Sequence, residues 1–218
     1  MLRYYYLRIS TSLATHSIWI AAIIHVVGII GLLSPLKPYF QLLTPVTLIL
    51  SAVLLWLNQT DNQVNLLRFS VVIFVSGFIV EWLGVTTGLI FGDYEYGYSL
   101  GPKLGGVPVI IGLNWLLVMY CVAALTDSLR IPTLAKIVIA SLLAVAIDWL
   151  IEPVAMKLDF WNWQNSKIPT QNFIGWFFTS LAMQACYHTF RVKAENRLAL
   201  PFYFIQIFFF LVLNWALD

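Results

Sequence analysis

Glu81 lies in the middle of an unbroken apolar stretch, residues 69–90, and a carboxyl at that depth of a bilayer costs on the order of 3 kcal/mol or more to insert unless it is paired, protonated or in use. Asp148 and Glu152 stand one helical turn apart at the end of a second apolar stretch, 134–151, so both project from one helix face. Carboxyls in different environments divide acid and base roles: an apolar setting keeps the proton on, and polar partners keep the charge. These three acids are the candidate catalytic residues. The alternative for each is an interhelical hydrogen bond that only holds helices together.

The elements that carry them are membrane helices. Of 218 residues, 61% are hydrophobic and only 10% charged, and a mean hydropathy of +0.85 leaves too little polar surface to cover a soluble globule. Runs long enough for a bilayer of about 30 Å fall at 13–33, 38–57, 69–90, 107–126, 133–151, 172–190 and 199–217. The pattern predicts an all-α, polytopic bundle of about seven transmembrane helices. The second run is entered through Pro35 and Pro38 and carries Pro45, so it is expected to kink. The first run follows Arg3 and Arg8, has no small-x-small cleavage site and leads into more membrane, so it reads as a retained helix. No linker, charge block or repeat divides residues 1–218, which predicts a single transmembrane domain.

A net charge of +2 from scattered Lys and Arg gives no basic stripe and no nucleic-acid surface; membrane lipid and lipid-soluble molecules are the expected partners. Cys121 and Cys186 fall inside apolar runs, where thiols pack as small hydrophobes. His16, His25 and His188 share no spacing that lets one helix present two imidazoles, so no metal is expected. Basic residues are retained in the cytoplasm. With the N-terminus inside, Arg3, Arg8, Arg68, Arg130, Lys136, Arg191, Lys193 and Arg197 face Lys37, Lys103, Lys157 and Lys167 across the membrane. That asymmetry places the N-terminus in the cytoplasm and puts the two longest loops, about 91–106 and 152–171, on the other face.

Those loops are rich in glycine and aromatics: Phe91-Gly92-Asp93-Tyr94-Glu95-Tyr96-Gly97-Tyr98, and Phe160-Trp161-Asn162-Trp163. They read either as a lid over the bundle or as an interfacial aromatic belt. Glu81 sits nine positions before the end of its helix, about 13 Å below the rim at 1.5 Å per residue, while Asp148 and Glu152 are expected at or just beneath it. Asn114 and Trp115 start inside the same face and offer a polar partner and an aromatic wall.

The run Glu81-Trp82-Leu83-Gly84 through Tyr94-Glu95-Tyr96, then Leu100-Gly101-Pro102-Lys103-Leu104-Gly105-Gly106-Val107-Pro108, Asp148-Trp149-Leu150-Ile151-Glu152-Pro153, Trp161-Asn162-Trp163 and Pro169-Thr170-Gln171-Asn172-Phe173-Ile174-Gly175-Trp176 resembles the integral-membrane carotenoid hydratases of the carotenoid 1,2-hydratase and bisanhydrobacterioruberin hydratase type. The resemblance covers about residues 70–190; the combination of motifs is far more specific than any one. It departs at Glu152, where family members often carry Asp. It implies a cofactor-independent hydro-lyase of carotenoid biosynthesis in the inner membrane of a prokaryote. Its substrate is a carotenoid drawn from the lipid phase, and other pathway enzymes or a second copy are conceivable partners. Water is added to the terminal C1–C2 double bond of an acyclic ψ end group, as in lycopene or γ-carotene, giving a tertiary alcohol. An unactivated alkene needs a strong proton donor, Glu81 or Asp148, while Asp148 or Glu152 deprotonates the attacking water. Trp82, Trp115, Trp149 and Tyr94 are walls for the cation, and Asp93, Tyr96, Asn114, Trp161, Trp163, Asn172 and Trp176 complete the implied substrate site.

Three rivals remain at the level of sequence. A retinal protein needs a lysine in the last helix, and 199–217 has none. A proton-coupled transporter or scaffold would use the acids as a relay or a brace, but repeated halves are missing. A lycopene-cyclase-like enzyme starts from the same protonation, and differs only in what captures the cation.

Overall fold

The absence of polar stripes and the placing of prolines decide where the helices run. The computed structural model describes residues 2–60, 63–193 and 195–217, with side chains from residue 13 onward, so Arg3 and Arg8 of the charge asymmetry lie outside the described side chains. The first helix, α1, spans Leu2–Leu32. The second predicted run is two helices, α2 (Lys37–Leu42) and α3 (Thr44–Leu57). Pro38 and Pro45 each sit in a first turn, where a missing N–H costs nothing because those amides have no intrahelical acceptor. A continuous helix would need the N–H that Pro45 lacks, and the chain breaks at Leu43 instead.

Next come α4 (Gln63–Thr87), three short strands β1 (Tyr94–Tyr96), β2 (Lys103–Leu104) and β3 (Val107–Pro108), and α5 (Ile111–Asp127). They are followed by α6 (Thr133–Lys157), β4 (Trp161–Trp163), α7 (Thr170–Thr189) and α8 (Ala199–Leu217). The described part is thus mostly helical. Four segments are long and apolar enough to cross a membrane: Leu13–Leu32 within α1, α4, α6 and α8; α3 and α5 are apolar but shorter. These helices mark a membrane protein, and their large exposed side chains, such as Ile30, Val71, Leu142 and Phe208, face outward as expected where lipid is the solvent.

A helix that is apolar all round belongs at the centre, and α5 takes that place. Trp115 and every residue from Leu117 to Ala123 is buried, and α3, α4, α6, α7 and α8 all pack on it. Its crossing with α4 is set by two glycines. A Cβ at Gly112 would stand 2.4 Å from the Phe74 carbonyl oxygen, and one at Gly77 would stand 2.7 Å from Trp115 Cβ. Only glycine lets the two backbones approach this closely. The approach holds the Trp115 ring against α4 one turn from Glu81.

Helix α6 departs from the predicted span. The run ends by hydropathy at residue 151, yet the helix continues through Pro153 to Lys157. Asn214 on α8 donates to the Leu150 carbonyl at 2.7 Å, tying the two helices at that turn. The extra turn carries Glu152 into the interior. It is 1% exposed, where the sequence places it near water.

Both long loops lie at one end of the bundle and pair with each other. Strands β1 and β4 form an antiparallel ribbon with Tyr94 opposite Trp163, Glu95 opposite Asn162 and Tyr96 opposite Trp161. The ribbon is tied by Gly97 N to Phe160 O at 2.9 Å, Gln164 N to Asp93 O at 3.0 Å, and Tyr98 N to Asp159 Oδ2 at 3.1 Å. Lys103 Nζ also donates to the Tyr96 carbonyl.

Candidate active site

Side chains on a strand alternate in direction, and this alternation builds the site. Tyr94 and Tyr96 turn to the bundle from β1, as do Trp161 and Trp163 from β4, while Glu95 turns to solvent and Asn162 lies part-buried between them. The register sets the two tyrosines opposite the two tryptophans, with Tyr94 and Trp163 ring centroids 4.9 Å apart. Each pair caps a different acid.

Glu81, from α4, receives three hydrogen bonds. Tyr94 OH donates to Oε2 at 2.5 Å, Tyr96 OH to Oε2 at 2.7 Å, and Trp115 Nε1 to Oε1 at 2.8 Å. Burial and the neighbouring Glu81 push both phenols well above their ordinary pKa, so Tyr94 and Tyr96 remain hydroxyls at any physiological pH. Glu152, from α6, also receives three: Trp161 Nε1 at 3.0 Å and Trp163 Nε1 at 2.6 Å on Oε2, and Asn172 Nδ2 at 2.9 Å on Oε1. A charge taken out of water loses several kcal/mol of solvation. Three bonds to a charged group, at about 1.5–3 kcal/mol each, are of the size needed to offset that. Asp148 differs, since its Oδ2 accepts one bond, from Asn172 Nδ2 at 2.9 Å, and its buried Oδ1 has no partner among the described residues. Asn172, from the first turn of α7, therefore bridges Asp148 and Glu152.

The partners differ in kind as well as position. Tryptophan and amide N–H groups only donate, whereas a tyrosine hydroxyl donates or accepts. Glu152 is thus surrounded by obligate donors, and Glu81 has two partners that can reverse.

Between the acids is a cavity of about 10 Å³ lined by Glu81, Glu152, Asn114 and Asn172 with Phe91, Ile111 and aromatic rings of the ribbon and α7. That is about the room one water occupies. Trp115 and Trp176 stack beside it, centroids 3.9 Å apart and planes 18° from parallel. A second, apolar cavity of about 360 Å³ lies against it among α1, α2, α3, α5, α6 and α8, and the two share Ile111, Asn114 and Trp161 as walls.

Of the residues singled out from sequence, Glu81, Tyr94, Tyr96, Asn114, Trp115, Glu152, Trp161, Trp163, Asn172 and Trp176 converge here, and Asp148 joins through Asn172. Three others do not. Trp82 is 43% exposed and its indole lies under Gly105 of the β2–β3 turn; Trp149 is 63% exposed on the outside of α6. Asp93 is exposed, with its carboxylate against Gly88. In an all-apolar helix the sequence has no stripe to tell a lipid-facing tryptophan from an inward one. Sequence reading missed Phe91 and Ile111, and the whole α1–α3–α8 side of the larger cavity. Nothing in residue type marked these, because an apolar cavity wall and a lipid-facing surface have the same composition.

Residues 39–217 match the family described as carotenoid biosynthesis protein, a wider span than the 70–190 of the motif resemblance. The bisanhydrobacterioruberin hydratase of Haloarcula japonica is 29% identical over 158 residues, which cover 66% of this chain and 51% of that protein. The chain therefore matches about half the length of this curated relative. No solved structure matches it.

Proposed function

We propose that this chain, which belongs to the carotenoid biosynthesis protein family, adds water across the terminal C1–C2 double bond of an acyclic carotenoid ψ end group of lycopene or γ-carotene type, leaving a tertiary alcohol at C1. The observation that carries this reading is the pair of differently held carboxyls, Glu81 and Glu152, on a cavity with room for one water. The name of the Haloarcula relative, a hydratase, supports it.

The partners support one division of roles. Glu81 is the donor, because Tyr94 and Tyr96 can accept a hydrogen bond from its protonated form and donate to its anion. Transfer of its proton to C2 leaves a cation at C1, beside the Trp176 ring that lines the water cavity and stabilised by the new carboxylate. Glu152 is the base. Its donors leave both oxygens as acceptors, so it orients the water and takes a proton as oxygen bonds to C1. That proton returns to Glu81 before the next turnover, which balances the addition. Asp148 is a positioning residue that holds Asn172 against Glu152. The polyene lies in the larger apolar cavity, its end reaching the acids past Asn114 and Trp161. Room for water beside the acids favours capture by water over ring closure, the cyclase alternative.

Expression in a lycopene-producing bacterium tests this. Pigments that gain the mass of one water per modified end, with acyclic termini, are the expected result. A ring of unchanged mass, or unaltered lycopene beside well-expressed protein, contradicts it.

The same reading places the chain in a prokaryotic inner membrane with seven passes, α2 and α3 counting as one, the N-terminus in the cytoplasm and the ribbon on the opposite side. Reporters fused after residue 128 or 194 should read cytoplasm, and those after residue 100 the other side. A residue-194 fusion that reads external overturns the span count.

A further inference from the structure

One polar side chain on the water cavity plays no part in the proton transfers. The carboxyls of Glu81 and Glu152 are held by the tyrosine, indole and amide partners described above. Asn114 and Trp176 line the same cavity and make no side-chain hydrogen bond to any described residue. An indole N–H can only donate, whereas a carboxamide presents an acceptor oxygen and two donor hydrogens. Asn114 is therefore the wall residue with both kinds of group uncommitted. Its backbone fixes its place. It stands in the first turn of α5, its N donating to the Ile110 carbonyl at 3.2 Å, directly before Trp115, whose indole donates to Glu81. Gly112, two residues earlier, lies against the backbone of Phe74 on α4. Asn114 is part-buried and forms the wall that the water cavity shares with the apolar one. An amide that faces an apolar space with no partner is a net cost to folding, and a bound group that pairs with it accounts for its presence.

We propose that Asn114 holds the attacking water and so decides the fate of the cation at C1, making it end as an alcohol. The inference rests on the hydratase reading of this site. A water poised for attack keeps a lone pair toward C1 and places both of its hydrogens on acceptors. One hydrogen lies on Glu152, which takes it as a proton when the bond from oxygen to C1 forms. The other bonds to Asn114 Oδ1, stays on the oxygen and becomes the hydroxyl hydrogen of the product. Without that second acceptor the water is free to turn, and its lone pair is aimed at C1 only part of the time. The cation then has a competing exit. Glu81, left as a carboxylate by the first transfer, takes a proton from a carbon bonded to C1, either C2 or a methyl, and an alkene forms again. No water is added and nothing is oxidised in that return. Hydration fails while protonation continues.

Asn114→Leu, close in size and apolar, separates the two steps. It breaks no side-chain hydrogen bond to a described residue, so the purified variant should melt at or above the wild-type temperature. Wild type and variant in lipid nanodiscs are given lycopene in deuterated water, where Glu81 carries a deuteron. Mass spectrometry reads the hydrated product and the deuterium in carotenoid that stays unhydrated. The variant is expected to make at least about tenfold less alcohol. Its unhydrated carotenoid, with the double bond in place, shifted to a methyl or closed into a ring, should gain deuterium well above the wild-type level. Full hydration by the variant overturns the role of Asn114. Loss of alcohol with no deuterium in the remaining carotenoid also overturns it, because protonation itself has then failed and Asn114 serves the donor or the fold. In both cases a wild type that hydrates lycopene leaves the hydratase reading standing. A wild type that neither hydrates lycopene nor takes up deuterium removes that reading and the water site with it.

Discussion

Glu81→Gln is expected to lower water addition at least about a hundredfold, the scale of a lost general acid, while leaving the protein folded. The separation of the two effects follows from the three partners of Glu81. A glutamine there turns its carbonyl to Trp115 Nε1 and its amide N–H groups to Tyr94 and Tyr96, whose hydroxyls accept as readily as they donate. Each partner keeps one bond to residue 81, with the two hydroxyls changed from donors to acceptors, so thermal stability stays within a few degrees. What is lost is the proton that the proposed mechanism delivers to C2. Hydrated carotenoid per unit of membrane protein and the melting temperature of the purified variant are the two readouts. A variant that keeps near wild-type activity returns Glu81 to a brace between α4 and the ribbon.

Glu152→Gln should fail differently. Trp161, Trp163 and Asn172 present three N–H groups to the two carboxylate oxygens; the indoles cannot accept, and Asn172 accepts only by turning its amide over, which takes its N–H from Asp148. Whichever way a glutamine amide is turned, an N–H faces an N–H or Asn172 turns over and gives up its bond to Asp148, so about 1–3 kcal/mol of stability goes with the broken bond. Activity falls at least about a hundredfold as the base is removed. The melting temperature should drop by several degrees, in contrast to Glu81→Gln. Asp148→Asn sits between. It removes no group from the water cavity and disturbs only the bridge through Asn172, so roughly a tenfold loss of activity is expected, recovered little by raising substrate. A stable, fully inactive Glu152→Gln would keep the base but contradict the hydrogen-bond account of it. A fully active one would remove the base.

The acids were legible in the sequence because an acid in an apolar run is costly and therefore conspicuous. Their partners were legible only as a composition. Tyr94-Glu95-Tyr96 and Trp161-Asn162-Trp163 read equally well as belt residues, since a three-residue strand has too little alternation to declare itself, and the register that sets the tyrosines opposite the tryptophans is a tertiary fact. Glu152 was misplaced toward water because Pro153 ordinarily marks a helix end, and here α6 runs four residues beyond it. The break at Leu43 was half visible, as a kink at Pro45. The cavity formed with α1, α3 and α8 was not visible at all. Where lipid and cavity are both apolar, no periodicity separates the faces.

Acid-catalysed hydration makes water the source of both groups added to the alkene, the hydrogen and the hydroxyl, and isotope labelling reads that directly. In heavy-oxygen water the tertiary hydroxyl should carry the label; in deuterated water the adjacent C2 should gain one deuterium, with product formed equally well in the absence of air. Label arriving from molecular oxygen, or a strict need for air or a reductant once carotenoid is supplied, contradicts acid-catalysed hydration by Glu81 and Glu152.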